Sequence, residues 1–466
     1  MKLGGRAALA AALAIAAPAS AQSPLVGNRD TPRHAAANAA ASRGINICSG
    51  LWSAGQSLEQ LEADVIDKPA PDALPLKTDI DRANKVVSVS YDDKVPPRIV
   101  VWRNVMGCVQ LPVGASLADA KYLPQVAPNL KTPNLDDQPW PTGDRNATAQ
   151  LPPAKQAALD ALVKSAFDGK TYGGVTWGVI VVKDGKIVAE RYERGFDMHI
   201  GSQTHSAAKS FASSLVGIAK GEVLIDMKRP GALKEWRRPG DPRGQISIEH
   251  LIHMSSGLYG EGTGSPQSDI YFQGGTVADR AATNILDTPP GTRFLYNPPD
   301  TMLMMRAVRE GMNNDARYWA FPYQALFWKV GMTHTTTSGD WNGDFLMSGQ
   351  TWSTARDFAR FGLLYLDDGM WDGKRVLPVG WAKYVATPGP VQPAGNGARY
   401  GAHFWLYGGQ SGLPSDAFSP NGGQGQYSMI IRSKGVVVVR RGYDPIGGPG
   451  FQIAKFSADV LAALAN

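Results

Sequence analysis

Between Phe211 and Ala219 the chain runs Phe-Ala-Ser-Ser-Leu-Val-Gly-Ile-Ala without a charge, and the cation that leads into this run is Lys209. A helix with no charged face belongs in an interior. The spacing therefore predicts a buried helix ending near Gly221, with one amine carried into apolar surroundings. Ser206 stands three residues ahead of Lys209, in Thr204-His205-Ser206-Ala207-Ala208-Lys209, and residues three apart share a helix face. The amine can reach the hydroxyl. Desolvation lowers an amine's pKa toward neutrality. A neutral lysine can take the serine proton and make a nucleophile without a histidine. Unpaired N–H groups at the helix start stand where negative charge develops in acyl transfer.

The pattern on either side of this helix predicts an α+β fold. A helix is expected near Ala154–Phe167. A hairpin follows from Val175–Lys183, the turn Asp184-Gly185, and Lys186–Tyr192, since a two-residue Asp-Gly loop between apolar runs selects a hairpin turn. Helical and loop sequence then continues to about Pro388. Strand signals return at Tyr400–Tyr407, Tyr427–Arg432 and Val436–Arg441, ahead of a C-terminal amphipathic helix. Strands from both ends imply one antiparallel sheet flanked by helices, with a mainly helical region inserted between its halves.

Ahead of this larger unit (156–466) the sequence predicts a signal peptide over 1–21, a small N-terminal α+β unit over 22–140 and a Pro-rich linker over 141–155. Lys2 and Arg6, the apolar run Ala7–Ala17 and Ala19-Ser20-Ala21 give the leader its three regions, so the protein is expected to be exported, periplasmic or secreted. No later run is long and apolar enough for stable membrane insertion. Ser23–Ala41, polar and alanine-rich, is expected to be poorly ordered. Ser57-Leu58-Glu59-Gln60 reads as a capping box, and Val86–Tyr91 and Arg98–Trp102 as strands. The only cysteines are Cys48 and Cys108. In an oxidising compartment they are expected to pair, with two buried free thiols as the alternative. Reduction is then expected to lower thermal stability while activity at low temperature largely persists, because the chemistry sits in the other unit. The formal charge of +6 is spread without a Lys/Arg block, which argues against a nucleic-acid partner.

Several segments, in order, resemble the serine beta-lactamase-like superfamily, in particular its class C-type branch. They are Ser206-Ala207-Ala208-Lys209, Ile248–Leu258, Pro289-Pro290-Gly291 leading to Tyr296, Trp352–Gly362, Gly373–Pro378 and Gly422–Tyr427. The tail pattern and Asp300-Thr301 look closest to the 6-aminohexanoate-dimer hydrolase and esterase group. The resemblance implies a beta-lactamase/transpeptidase-like fold, Ser206 as acylated nucleophile, Lys209 as its proton acceptor and Tyr296 as a second acid/base. It also places Gly425 and Gln426 at the substrate. A phenol beside an ammonium is expected to be pushed toward phenolate.

Three departures stand out. Tyr296-Asn297-Pro298 lacks the family's second amide, Ala417-Phe418-Ser419 stands where beta-lactamases carry Lys-Thr-Gly, and Pro420 falls near an expected backbone oxyanion donor. His250 and His253 have helical metal-ligand spacing but no third ligand nearby, and read as structural. Ser268-Asp269 reads as a pocket-wall loop. The expected activity is hydrolysis of a small-molecule ester or amide through an acyl-enzyme, with no cofactor or metal in the chemistry. The alternative is a catalytically silent binding protein on the same scaffold, recognising cell-wall peptides or another ligand. Oligomeric state is not legible.

Overall fold

The computed structural model describes residues 32–63, 76–127, 129–260, 266–395, 397–445 and 448–465. The expected leader, 1–21, lies outside them.

The N-terminal unit is one long helix laid on a small sheet. Helix α1 spans Pro32–Trp52 and the short α2 Leu58–Leu61, with Ser57 Oγ accepting from the Gln60 amide at 3.1 Å. Strands β1 (Thr78–Asp81), β2 (Val86–Val89), β3 (Arg98–Arg103) and β4 (Gly107–Gln110) form an antiparallel meander. Side chains alternate across a strand, and here the two faces have different partners. Val87, Val89, Val100 and Cys108 pack with Ala40, Ile45, Ile47 and Cys48 of α1. Val86, Ile99, Val101 and Val109 point the other way, into the main core of the molecule. The small sheet is thus sandwiched between α1 and the body of the second unit.

The stretch expected to be poorly ordered, Ser23–Ala41, is helical from Pro32 onward. Alanine carries the highest helix propensity, proline is tolerated in a first turn, and Ala37, Ala40 and Ala41 gain burial. Read without its sheet partner, the segment shows only its polar, low-complexity side.

In the second unit, α3 (Pro153–Ser165) precedes the hairpin β5 (Val175–Lys183) and β6 (Lys186–Tyr192). Asp184 and Gly185 take φ of 47° and 83° in its turn, the left-handed geometry that a two-residue hairpin needs. The main sheet runs Arg399–Tyr400, Trp405–Leu406, Ala417–Ser419, Gln426–Ile431, Val436–Tyr443, β5, β6, all antiparallel. Strands from both ends of the unit do meet in one sheet. The run Tyr400–Tyr407 is broken into two short strands, with His403 between them at φ 63°.

One sheet face, with Val179, Val181 and Val438, packs on α3 and the C-terminal helix Ile453–Ala465. The other, with Ile180, Val437 and Val439, covers α4 (Ala208–Gly221) and the helix Ala355–Leu366. The Pro-rich segment expected as a linker is fastened along the body. Trp140 Nε1 donates to Gly185 O at 2.8 Å, and Arg360 donates to the carbonyls of Pro141 and Gly143, both at 2.8 Å. Among the described residues, no helix is long and apolar enough to cross a membrane.

Cys48 of α1 and Cys108 of β4 form a disulfide across a sequence separation of 60. Closing such a loop contributes about 4 kcal/mol in the chain-entropy picture. The double variant Cys48→Ala/Cys108→Ala is therefore expected to melt well below the oxidised protein. Coincident thermal transitions would show that packing alone holds α1 to its sheet.

Candidate active site

Helix α4 is buried along almost its whole length, from Ala208 to Ala219. Its polar side chains are nevertheless satisfied. Ser210 Oγ and Ser213 Oγ donate to the carbonyls of His403 and Ala402 at 2.5 and 2.9 Å, and Ser214 Oγ meets Tyr365 Oη at 2.7 Å. Gly217 admits the Trp381 ring, which would lie 2.5 Å from a Cβ at that position. A tight turn, His205–Ala207, precedes the helix and presents Ser206 half-exposed at its start.

Lys209 is 1 % exposed. Its Nζ donates to Ser206 Oγ at 3.0 Å and to the Ser348 carbonyl at 2.5 Å. Burial alone lowers its pKa to about 7, so near neutrality a sizeable fraction is the free amine. The Tyr296 side chain lies beside Ser206, and the Tyr296 ring centroid lies 5.0 Å from Lys209 Nζ. The tyrosine stacks on Trp405 at 5.7 Å and meets Tyr400 edge-on at 5.9 Å. Burial raises its pKa, an effect only partly offset by the neighbouring Ser206. The expectation of a phenolate is thus corrected: desolvation disfavours the charged form of both groups, the phenolate as well as the ammonium.

Tyr296 is held by what surrounds it in sequence. The Leu295 amide donates to Met254 O at 2.9 Å, and the helix Pro298–Met312 starts two residues on. The Asn297 side chain donates to Asp300 Oδ1 at 2.8 Å, as does Ser256 Oγ. Burial pushes that Asp300 carboxyl up to about 7. The Asn297 amide is therefore spent on the loop and does not replace the one missing at Pro298.

A cavity of about 280 Å³ opens at Ser206. Its walls include His205, Gln203, Trp177, Tyr271, Ser348 and Gln424 from the hydrolase unit, and Ser42, Arg43, Ile45 and Asn46 from α1. The N-terminal unit is not remote from the chemistry, so the expectation that its reduction spares activity is withdrawn. Among the described residues, six carboxamides line the space (Asn46, Gln56, Gln203, Gln267, Gln350 and Gln424), with no carboxylate. Arg43 is already engaged, by Glu62 Oε1 and Thr78 Oγ1, both at 2.8 Å. Ser348 is also tied to Tyr271, hydroxyl to hydroxyl.

Gly425 and Gln426 do not line this cavity. The Gln426 side chain folds back onto the carbonyls of Gln424 and Gly442 at 3.0 and 2.6 Å, and Gly425 packs against Arg440 and Asp444. The wall residue is their neighbour Gln424, at φ 58°, whose Oε1 lies 3.2 Å from His205 Nε2. Burial lowers the His205 pKa to about 4, so that ring is neutral. Pro420 is not a wall residue, and Gly422 passes so close to the Thr204 carbonyl that a Cβ would lie 2.0 Å from it. Helix Pro266–Phe272 supplies Gln267, Tyr271 and Phe272 to the wall, rather than Ser268 or Asp269. His250 caps its own helix through Ser247, and His253 binds Tyr384 Oη at 3.1 Å. Tyr271, Ser348 and the α1 residues carry no motif, and only tertiary contact reveals them.

A family model described as beta-lactamase matches residues 159–440. The chain is 24% identical, over 295 residues, to a 6-aminohexanoate-dimer hydrolase of Paenarthrobacter ureafaciens, with 58% of this chain and 68% of that protein covered. A penicillin-binding protein homologue from Caulobacter crescentus superposes with a TM-score of 0.53 at 14% identity, covering 68% of this chain and 99% of the other. A family VIII carboxylesterase does so with 0.52 at 15%, covering the same shares. At such identities the superpositions speak for the fold.

Because α1 forms a wall, Asn46→Phe is expected to raise KM about tenfold, roughly 1.4 kcal/mol of binding, without unfolding the protein. An unchanged KM for every substrate turned over would place substrate away from α1.

Proposed function

Since the chain belongs to the beta-lactamase family of hydrolases, we propose that it cleaves an ester or amide bond through an acyl-enzyme on Ser206. The observation that carries this reading is the desolvated Lys209 amine, 3.0 Å from Ser206 Oγ. In the first half-reaction Lys209 takes the Ser206 proton as Oγ attacks the substrate carbonyl carbon. The bond to the leaving group then breaks, and the leaving oxygen or nitrogen takes a proton through the neutral Tyr296 hydroxyl. In the second half-reaction water attacks the acyl carbon, the bond to Ser206 Oγ breaks, and the water's proton passes along the same groups to Oγ, freeing the acid. A phenol kept protonated by burial suits the donor role, and one pair of groups serves both halves.

The developing oxyanion needs N–H donors. The amide of Ser206 and that of Gln424 are assigned this role, supported by Gln424's place on the cavity wall. The disulfide supports export into an oxidising compartment.

The carboxamide lining favours uncharged polar groups, and the 6-aminohexanoate-dimer hydrolase relative makes amides a class to test beside esters. Among the described residues no lysine lines the cavity, and Arg43 is paired with Glu62. A beta-lactam carboxylate would be desolvated here against an arginine whose charge is already shared with Glu62, with only its Nη1 unpartnered.

Turnover of an activated ester is expected to rise with pH through about 7 as Lys209 loses its proton. Lys209→Ala should lose activity by roughly 10²–10⁴-fold together with that limb. A Lys209→Ala enzyme retaining both rate and limb would refute the base assignment.

Penicillins and cephalosporins are expected to be poor substrates beside short esters or uncharged amides. Competitive rates on a mixed panel decide this, and preferred cephalosporin hydrolysis would mean that Arg43 leaves Glu62 to bind the carboxylate.

A further inference from the structure

Away from the Ser206 cavity, four side chains of metal-ligand type converge from three separate segments. Asp136 and Asp144 lie in the segment ahead of α3, His199 in the loop after β6, and His334 shortly before Thr336. Their donor atoms all lie within 4.8 Å of one another. His199 Nε2 is 2.9 Å from Asp144 Oδ2 and 3.9 Å from Asp136 Oδ2, while His334 Nε2 is 3.0 Å from Asp136 Oδ1. The two imidazoles are stacked, with centroids 4.7 Å apart and planes 18° from parallel, and both turn Nε2 toward Asp136.

We propose that these four residues form a binding site for a divalent transition-metal ion of the zinc type, which pins the 136–144 segment to the hydrolase body. Tetrahedral zinc with ligands at about 2.0–2.2 Å separates neighbouring ligand atoms by roughly 3.3 Å, and the distances here bracket that value. Two imidazoles and two carboxylates suit zinc and its transition-metal neighbours, whereas magnesium and calcium take oxygen ligands.

The surroundings hold the ligands in place. The other Asp144 oxygen, Oδ1, accepts from Arg356 at 2.9 Å and Arg360 at 2.8 Å, which turns Oδ2 toward the histidines. Such outer partners orient metal ligands. The two guanidiniums are themselves matched by Glu190 and Asp357, at 2.7 and 3.0 Å. Four carboxylates against two guanidiniums leave a formal excess of negative charge for a dication. The His199, His334 and Asp136 side chains are 42%, 28% and 36% exposed, giving an ion a way in. None of the four lines the Ser206 cavity, so the ion's effect is on stability and not on the hydrolytic step.

The test uses tag-free, full-length protein freed of metal with chelator. Zinc titrated in a calorimeter should bind at one ion per chain with Kd below about 1 μM, and raise the melting temperature by a few degrees. Cobalt(II) should give the intense visible bands of a tetrahedral site, and magnesium should do neither. His199→Ala and Asp136→Asn should each weaken zinc binding at least about tenfold and abolish the thermal shift, while ester turnover of the folded variants is retained. No zinc binding by the wild type, or equal affinity in wild type and Asp136→Asn, would overturn the proposal. The wild-type stoichiometry and the Asp136→Asn comparison decide the matter even if His199→Ala fails to fold.

Discussion

Taking an amine out of water disfavours its charged form, and the architecture around Lys209 enforces that penalty. The helix that carries it has no charge from Phe211 to Ala219. Around that helix lie the inner face of the main sheet, the helix Ala355–Leu366 and a cluster of rings. Phe211 alone meets Phe327, Phe358 and Phe361 edge-on, with centroids at 5.6, 5.9 and 4.6 Å. Among the described residues the amine makes two polar contacts, with the Ser206 hydroxyl and the Ser348 carbonyl. No carboxylate lies among them to stabilise an ammonium. The result is an amine whose pKa falls to about 7, the range in which the proposed proton transfer is most effective. The same dry setting keeps Tyr296 protonated. Opposite protonation states on two adjacent groups follow from one cause, burial.

Such a setting needs a wall on the open side, and the N-terminal unit supplies it. Strand alternation lets the small sheet grip α1 with one face and the hydrolase core with the other. Helix α1 then projects Ser42, Arg43, Ile45 and Asn46 into the cavity. The disulfide fixes that helix to its sheet at the turn just beyond these residues. Loops and attached elements carry specificity on many folds while the scaffold holds the chemistry. Here the attached element is a helix tied by a covalent bond.

What could be read in advance follows the range of the interactions. The hairpin at Asp184-Gly185 and the α4 helix are set by residues within a few positions of each other, and their bounds were legible. The Ser206–Lys209 contact, one helical turn apart, was legible for the same reason. Helix α1 was not, since its alanines show their purpose only against Val87, Val89 and Val100. Gln424 was displaced in the reading by Gly425 and Gln426 because an alignment by motif cannot show which of three neighbours faces the cavity. The protonation of Tyr296 also went unread. A sequence shows that a lysine is near, but not that both groups lose their water.

The central claim is that Ser206 becomes covalently acylated by substrate with a lysine as its base. Rapid acid quench during turnover of a slow ester or amide, followed by intact mass and peptide mapping, tests it directly. The account predicts a mass increase equal to the acyl group, located on the peptide containing Ser206, present in the wild type and absent from Ser206→Ala. Turnover with no adduct at any quench time, or an adduct on another residue that persists in Ser206→Ala, would contradict it.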